Sequence, residues 1–235
     1  MKVLMIDVGG THVKLMLESD GEVRSFDSHA KMTAREMVQQ ALARLEGWRP
    51  DRVSIGYPGI LRRGRPAIEP QNLGDGWVDF DYAAAFGLPI RMINDAAMQA
   101  LGNYDQGRLF FMGLGTSTGA CLIADDMVVP LEIGLLRLNA HETLRDRLSD
   151  EGLERMGREN WLEALYEGVA MLQDAFYPDL TVLGGGNSKL VEPLPKNCLR
   201  VANFTAYRGA VRLWEEADMT AVPIETAWRI MRHPA

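Results

Sequence analysis

Asp7-Val8-Gly9-Gly10-Thr11-His12-Val13-Lys14 places an acid, two adjacent glycines, a hydroxyl and a lysine between two apolar runs, residues 3–6 and 13–17. The pattern predicts strand, tight turn, strand. Glycines carry no side chain, so backbone N–H groups can crowd round an anion, with Thr11 and Lys14 beside the cradle so formed. An ordinary glycine hairpin has the same pattern, and this stretch alone does not separate the two. A second copy tips the balance. Phe110-Phe111-Met112-Gly113-Leu114-Gly115-Thr116-Ser117-Thr118-Gly119-Ala120-Cys121-Leu122-Ile123 repeats the order apolar run, glycine turn, apolar run, and Gly115-Thr116 falls on Gly10-Thr11 when the two are superposed. Two such hairpins, one per half, predict a duplicated domain whose loops face each other across a cleft, each holding part of a polyphosphate; chance similarity of two hairpins is the other explanation.

The chain has 235 residues, 47% of them hydrophobic, enough for a buried core in one large or two small domains. A formal net charge of −7 argues against a non-specific nucleic-acid binder, which carries a basic face. The densest basic run, Arg62-Arg63-Gly64-Arg65, reads as a solvated turn or as a contact for an anionic ligand. Cys121 and Cys198 lack the paired spacing of a zinc site or disulfide framework and read as buried thiols in a reducing compartment. Met1-Lys2 runs straight into a strand interrupted by Asp7, too short and polar for a signal peptide, and no apolar stretch approaches the roughly 20 residues that span a membrane. The expectation is a cytoplasmic protein without membrane or nucleic-acid partners.

A polar turn is expected over Glu18-Ser19-Asp20-Gly21-Glu22, and a third strand over 23–26. Thr33 and Glu36 form a capping-box signature before Val38, Ala41, Leu42 and Leu45 at helical spacing. Residues 53–57 read as a buried strand ending in Pro58-Gly59, 61–79 as loop, 81–86 as a short helix capped by Asp81, and 89–93 as a further strand. Asn94-Asp95 follows at the threshold of a helix over 96–102. An acid at a strand end is a usual place for catalysis in α/β proteins, and equally the place of a plain N-cap aspartate. In the second half, strands are expected over 109–114, 120–123 and 127–129, with a hairpin turn at Asp125-Asp126. Glu132, alone among Leu131, Ile133 and Gly134, is either a buried acid with a partner or ligand, or an exposed acid on an edge strand. Residues 142–158 read as a solvated helical segment, and Asn160 as the cap of a long amphipathic helix to Phe176. The strand over 180–183 ends in Gly184-Gly185-Gly186-Asn187-Ser188-Lys189, a third glycine turn that opens a helix and binds nucleotide, or only permits tight packing. A last strand over 198–201 and a closing helix over 206–214 follow; the tail from Met219 carries no chemical signature.

Taken in order, the Asp7 to Lys14 stretch, Ile55-Gly56-Tyr57-Pro58-Gly59, Asn72-Leu73 with Trp77, Ile93-Asn94-Asp95-Ala96, Leu114 to Gly119, Leu131-Glu132-Ile133-Gly134 and Val182 to Lys189 resemble the ROK family of sugar kinases, especially its polyphosphate glucokinase branch, within the actin, hexokinase and heat-shock ATPase superfamily. The likeness runs from about residue 3 to about residue 213. It implies an α/β fold of two ribonuclease-H-like (actin-like ATPase) domains, 1–104 and 105–235, with sugar and phosphoryl donor in a central cleft. In that resemblance Asp95 is the general base. Gly9, Gly10, Thr11 and Lys14 meet the donor phosphates, Asp7 organises Mg²⁺ through water, Gly115 and Thr116 form the opposing jaw, and Gly185 and Gly186 the nucleoside side. Asn72, Asn94, Asp95 and Glu132 hold sugar hydroxyls. The implied function is a hexose kinase of the glucokinase type, using ATP or polyphosphate, as a homodimer.

Four departures bear on this. Many relatives have a sugar-binding histidine where this chain has Leu135, and the cysteine zinc motif of the wider family is absent, as in the polyphosphate branch. In the second turn the usual Gly-Thr-Gly is Gly115-Thr116-Ser117, and the lysine expected between Asn72 and Trp77 is replaced by Gly74-Asp75-Gly76. Leu135 and Ser117 motivate an alternative, a catalytically degenerate sugar- or nucleotide-binding protein.

Overall fold

A computed structural model describes residues 1–17, 21–201, 204–214 and 218–233; Glu18, Ser19 and Asp20 of the expected polar turn lie outside the described residues. The first sheet has the order β3-β2-β1-β4-β7, with β1 Val3–Val8, β2 His12–Leu17, β3 Val23–Asp27, β4 Arg52–Tyr57 and β7 Ile90–Asn94. The first three strands are antiparallel neighbours, whereas β1, β4 and β7 run parallel. The central strands β1 and β4 are almost wholly buried, which accounts for their near-continuous apolar runs. Between these strands lie α1 Ala34–Ala43, a small hairpin of β5 Leu61–Arg62 and β6 Arg65–Pro66, and α2 Tyr82–Phe86. Thr33 caps α1 as its sequence requires, accepting from the Glu36 N–H. Asp81 caps α2, which Gly87 ends at φ 65°.

Following α3 Asp95–Asn103, the second sheet repeats the pattern. Here β8 Leu109–Gly113, β9 Ala120–Ala124 and β10 Met127–Leu131 are antiparallel neighbours, and β11 Leu180–Gly184 and β12 Cys198–Arg200 continue in parallel from β8. Each sheet thus contains the same five-strand unit in the same order, so the duplication suggested by the two glycine turns extends to the topology. Two further strands, β13 Met219–Pro223 and β14 Trp228–Arg232, extend the second sheet beyond β10. The tail that carried no chemical signature is therefore a hairpin. In β14 the buried Trp228 and Ile230 alternate with exposed Arg229 and Met231 at the period of a strand, while β13 buries Met219, Thr220 and Ala221 in succession.

Three further expectations are corrected. The 142–158 segment is two short helices, α4 Leu144–Leu148 and α5 Asp150–Met156, each capped by its own hydroxyl, Thr143 and Ser149. The long helix α6 spans Arg158–Phe176 with Gly157 at its cap, so Asn160 lies within the first turn and donates instead to the Met156 carbonyl. Within the stretch read as loop, Arg63 and Gly64 take φ 51° and 72°, the paired left-handed conformation of a two-residue hairpin turn. Arg62 and Arg63 both reach Glu225 in the β13–β14 turn, at 3.6 and 2.6 Å. The basic run thus bridges the two halves of the chain.

The first sheet takes its strands from residues 3–94 and the second from 109–232, and the last helix joins them. Helix α7, Phe204–Val211, packs on α3 and against β1 and β4 of the first sheet. A Cβ on Gly102 would collide with the Thr205 carbonyl, and one on Gly209 with that of Met98, so the two helices cross backbone to backbone. Ser54 of β4 donates to the Ala210 carbonyl at 2.7 Å and accepts from Trp214 Nε1 at 2.9 Å. Arg212, wholly buried, donates to the carbonyls of Leu101 and Tyr104 and pairs with Asp218. Cys121 and Cys198 are buried free thiols; burial pushes the first well above the ordinary range and the second to about 11.

Candidate active site

The geometry of the site starts from three adjacent parallel strands. Asp7 lies near the end of β1, directly beside Gly56 of β4, and Asn94 closes β7 opposite Tyr57. Asp95 is the next residue, the first of α3. Such strand ends are where open α/β sheets place reactive groups. A Cβ on Gly56 would lie 3.4 Å from Asp7 Oδ1, 3.4 Å from Asp95 Cα and 2.5 Å from Met98 Cε. Gly56 thus lies between the two acids, within van der Waals reach of both, with Met98 packed against its bare Cα.

The cap question at this threshold has a clear structural answer. Asn94 is the N-cap, its Oδ1 accepting from the Ala97 N–H at 3.1 Å, while its Nδ2 donates to the Gly59 carbonyl at 3.3 Å. Asp95 is released from capping α3, and its Oδ1 accepts from the adjacent Ala96 N–H at 2.8 Å. Burial, the charge of Asp7 and the charge of Glu132 push the Asp95 carboxyl up to about 7, against the lowering effect of the Ala96 N–H. Burial pushes Asp7 up to about 6, opposed by the ammonium of Lys14, its cross-strand neighbour. Two neighbouring carboxylates with raised and unequal proton affinities are an arrangement suited to accepting a proton near neutral pH.

Above the acids sits the first glycine turn. Gly9 donates its N–H to the His12 carbonyl at 3.0 Å, and Ser28 fastens the turn from outside, donating its hydroxyl to the Gly9 carbonyl and its N–H to that of Thr11. No backbone acceptor is recorded among the described residues for the N–H groups of Gly10 and Thr11. The second turn meets the first directly: Thr11 Oγ1 and Thr116 Oγ1 are 2.9 Å apart, and a Cβ on Gly10 would lie 3.6 Å from Thr116 Cγ2 and 3.7 Å from Asn72 Cβ. The third turn is tied to the second by Leu114 N–H to the Gly184 carbonyl and Asn187 N–H to the Leu114 carbonyl. It opens only a 3-10 turn, Gly186–Leu190, rather than the expected helix.

Among the sugar-side residues, Asn72 reaches the first turn, and Glu132 is exposed yet near enough to Asp95 to raise its proton affinity. Glu132 follows β10, which is flanked on both sides by other strands, so the exposed alternative holds although the edge does not. The amide of Asn94 is engaged on both of its ends within the fold, so its place is behind Asp95 rather than in front of it. Leu135 and Ser117 are exposed. Gly74 is pressed against the Lys31 backbone, its N–H on the Met32 carbonyl, a position that leaves no room for a lysine side chain. Gly56 stood in the Ile55 to Gly59 motif without an assigned role, and two contributors escaped sequence reasoning altogether: Ser28 and Asp150, the last joined to Thr116 at 3.2 Å and Asn187 at 2.6 Å. Their only sequence signal is residue type, and their roles arise from contacts distant along the chain.

Comparison with known proteins bears on this arrangement. No family model matches the chain. N-acetylmannosamine kinase of Haemophilus influenzae is 28% identical over 188 residues, covering 73% of this chain and 61% of that enzyme. Polyphosphate glucokinase of Mycobacterium tuberculosis is 24% identical over 220 residues, covering 82% and 81%. A ROK family glucokinase from Streptomyces griseus, solved with glucose and AMPPNP, superposes with a TM-score of 0.73 at 17% identity, over 92% of this chain and all of that one. The chain is similar to the ROK sugar kinases. The structural likeness, at this identity, is one of fold, and the chain spans about three fifths of the length of the Haemophilus relative.

Proposed function

We propose that the chain is a hexose kinase of the glucokinase type, moving a phosphoryl group from ATP or polyphosphate to the primary hydroxyl of a sugar. The observation that carries this reading is the pairing of Asp7 and Asp95 across Gly56, directly beneath two glycine turns whose threonines are 2.9 Å apart. The sugar lies between the halves of the chain, its hydroxyls on Asn72, Glu132 and Asp95, with Asn94 holding the Asp95 backbone in place. Asp95 takes the proton of the primary hydroxyl as that oxygen bonds to the terminal phosphorus; the bond to the leaving phosphate oxygen breaks, and ADP or shortened polyphosphate departs. A base of this kind contributes about 10²–10⁴-fold. The N–H groups of Gly10 and Thr11, with Lys14, neutralise donor charge, Gly115 and Thr116 face them, and Gly185 and Gly186 lie on the nucleoside side.

Among the described residues no group of three His, Cys, Asp or Glu could cage a metal ion. That fits Mg²⁺, which keeps several waters and is held by one or two carboxylates together with substrate phosphates. Asp7 would hold it through water, and when bound it would neutralise charge on the transferring group. The relatives' names support both donors, polyphosphate for the Mycobacterium enzyme and a nucleotide for the Streptomyces structure. A homodimer in the cytoplasm belongs to the same proposal.

A panel of hexoses and N-acetylhexosamines crossed with ATP and polyphosphate in a coupled assay tests it, with Asp95→Asn as control. Equal rates for the variant and its parent remove Asp95 as base. A second reading, binding without turnover, draws on the exposed Leu135 and on Ser117 in place of a glycine. Tight sugar binding by calorimetry, with no transfer from either donor, would favour it.

A further inference from the structure

Four polar side chains form one chain at the mouth of the glycine turns. Thr11 Oγ1 lies 2.9 Å from Thr116 Oγ1, which lies 3.2 Å from Asp150 Oδ2, while Asp150 Oδ1 accepts from Asn187 Nδ2 at 2.6 Å. The Asp150 N–H also donates to the Gly115 carbonyl at 2.9 Å, so this acid is fastened to the second turn by backbone as well as side chain. A carboxylate accepts hydrogen bonds and cannot donate them. That fact assigns every proton in the chain. Thr116 must give its proton to Asp150, its oxygen can then only accept from Thr11, and Thr11 is the donor of the 2.9 Å bond. The two threonines occupy matching places in the duplicated turns, yet they present opposite faces to a ligand: Thr11 has a proton to offer across the cleft, and Thr116 has already spent its own.

We propose that Asp150 is a positioning residue for the phosphoryl donor: it withholds the Thr116 proton from phosphate, so that an incoming phosphate oxygen captures Thr11 alone by displacing Thr116 as its acceptor. The inference rests on the phosphoryl-transfer reading of this site. It also places a negative charge behind the second turn, so donor affinity is held below what two hydroxyl donors would give. In Asp150→Asn the carboxamide oxygen keeps the Asn187 bond while its N–H₂ turns toward Thr116 and donates to it. The Thr116 proton is then freed to face the cleft, and the charge is gone.

The test is titration calorimetry of the full chain with tripolyphosphate, alongside steady-state kinetics where turnover is found. For Asp150→Asn the dissociation constant should fall about tenfold, the size of one added hydrogen bond to a charged acceptor. The donor KM should fall in parallel, with the sugar KM moved by no more than about twofold, since only the donor gains a bond. A merely structural role for Asp150 would loosen the turn and move donor affinity the other way. Affinity that is unchanged or weaker in the variant, or no tripolyphosphate binding by either protein, overturns the proposal. Should Asp150→Asn fail to fold, Thr11→Val and Thr116→Val decide: Thr11→Val weakens tripolyphosphate binding about tenfold and Thr116→Val about threefold or less, for only the first removes a proton that phosphate uses. Equal losses, or the reverse order, refute it. If neither parent nor Asp150→Asn phosphorylates any sugar while the tenfold difference in affinity stands, the kinase reading fails and the assignment of Asp150 survives.

Discussion

Replacing Asp95 by Asn removes a charge that the fold holds at a cost. Burial first, then the neighbouring Asp7 and Glu132, push this carboxyl from 3.8 to about 7. Each unit corresponds to about 1.4 kcal/mol, so roughly three units set a ceiling of about 4 kcal/mol, reduced by partial solvent access and by the coupling to Asp7. The sign follows from the raised proton affinity. Below a pH of about 4 the carboxyl is protonated in the folded and unfolded chain alike and costs nothing. As pH rises through about 7 the unfolded chain has long released its proton, the folded chain gives up its own only against the environment, and stability is lost. Asn has the same shape and keeps an oxygen for the Ala96 N–H. Denaturant unfolding of parent and Asp95→Asn near pH 4 and pH 8 should therefore give a variant about 2–4 kcal/mol more stable at the higher pH, the difference closing at the lower. The coupled assay should meanwhile fall by about 10²–10⁴-fold. A variant no more stable than its parent near pH 8 would refute the claim that the site holds Asp95 against its solvation.

Asp7→Asn removes the like charge beside Asp95, so the acid limb of its pH–rate profile, expected near 7 in the parent, should move to lower pH; a limb that stays in place contradicts the coupling. Gly56→Ala puts a methyl 2.5 Å from Met98 Cε, so that buried side chain must shift beside the two acids, while Asp7 Oδ1 and Asp95 Cα, at 3.4 Å, meet the methyl in ordinary contact. It should lower stability by about 1–3 kcal/mol, read by melting, and lower kcat further than that loss explains. Arg212→Met leaves the buried Leu101 and Tyr104 carbonyls without their donor and Asp218 with only the more distant Arg208, and should cost about 3–5 kcal/mol in denaturant unfolding at neutral pH. Because Arg212 holds the Asp218 carboxyl below its usual range, the parent's advantage is present above the ordinary carboxylate range and should shrink as pH falls through it.

The strands and most helices were legible because their signals are local. Apolar periodicity marked β1, β4, β8 and β11, and capping residues marked α1 and α2. The short α4 and α5 were blurred into one segment because charges and leucines at helical spacing do not mark the break at Ser149, where one helix ends and the next is capped. The β13–β14 hairpin was overlooked for a similar reason: five-residue strands signal weakly until a partner, here β10, fixes which face is buried.

The sequence by itself determined two glycine turns in duplicate, an acid at the end of β1 and an acid after Asn94, since turn chemistry and strand ends are written in neighbouring residues. Only the tertiary structure decided that these acids lie together, because their proximity depends on the parallel register that sets Asp7 beside Gly56 of β4 and Tyr57 of β4 beside Asn94, the residue before Asp95. It also decided which of Asn94 and Asp95 is the cap, a matter of hydrogen-bond geometry that either residue type could satisfy. Asp150 is the extreme case. Its neighbours along the chain describe a helix N-terminus, and its bonds to Thr116 and Asn187, 34 and 37 residues away, exist only once both glycine turns have folded around it.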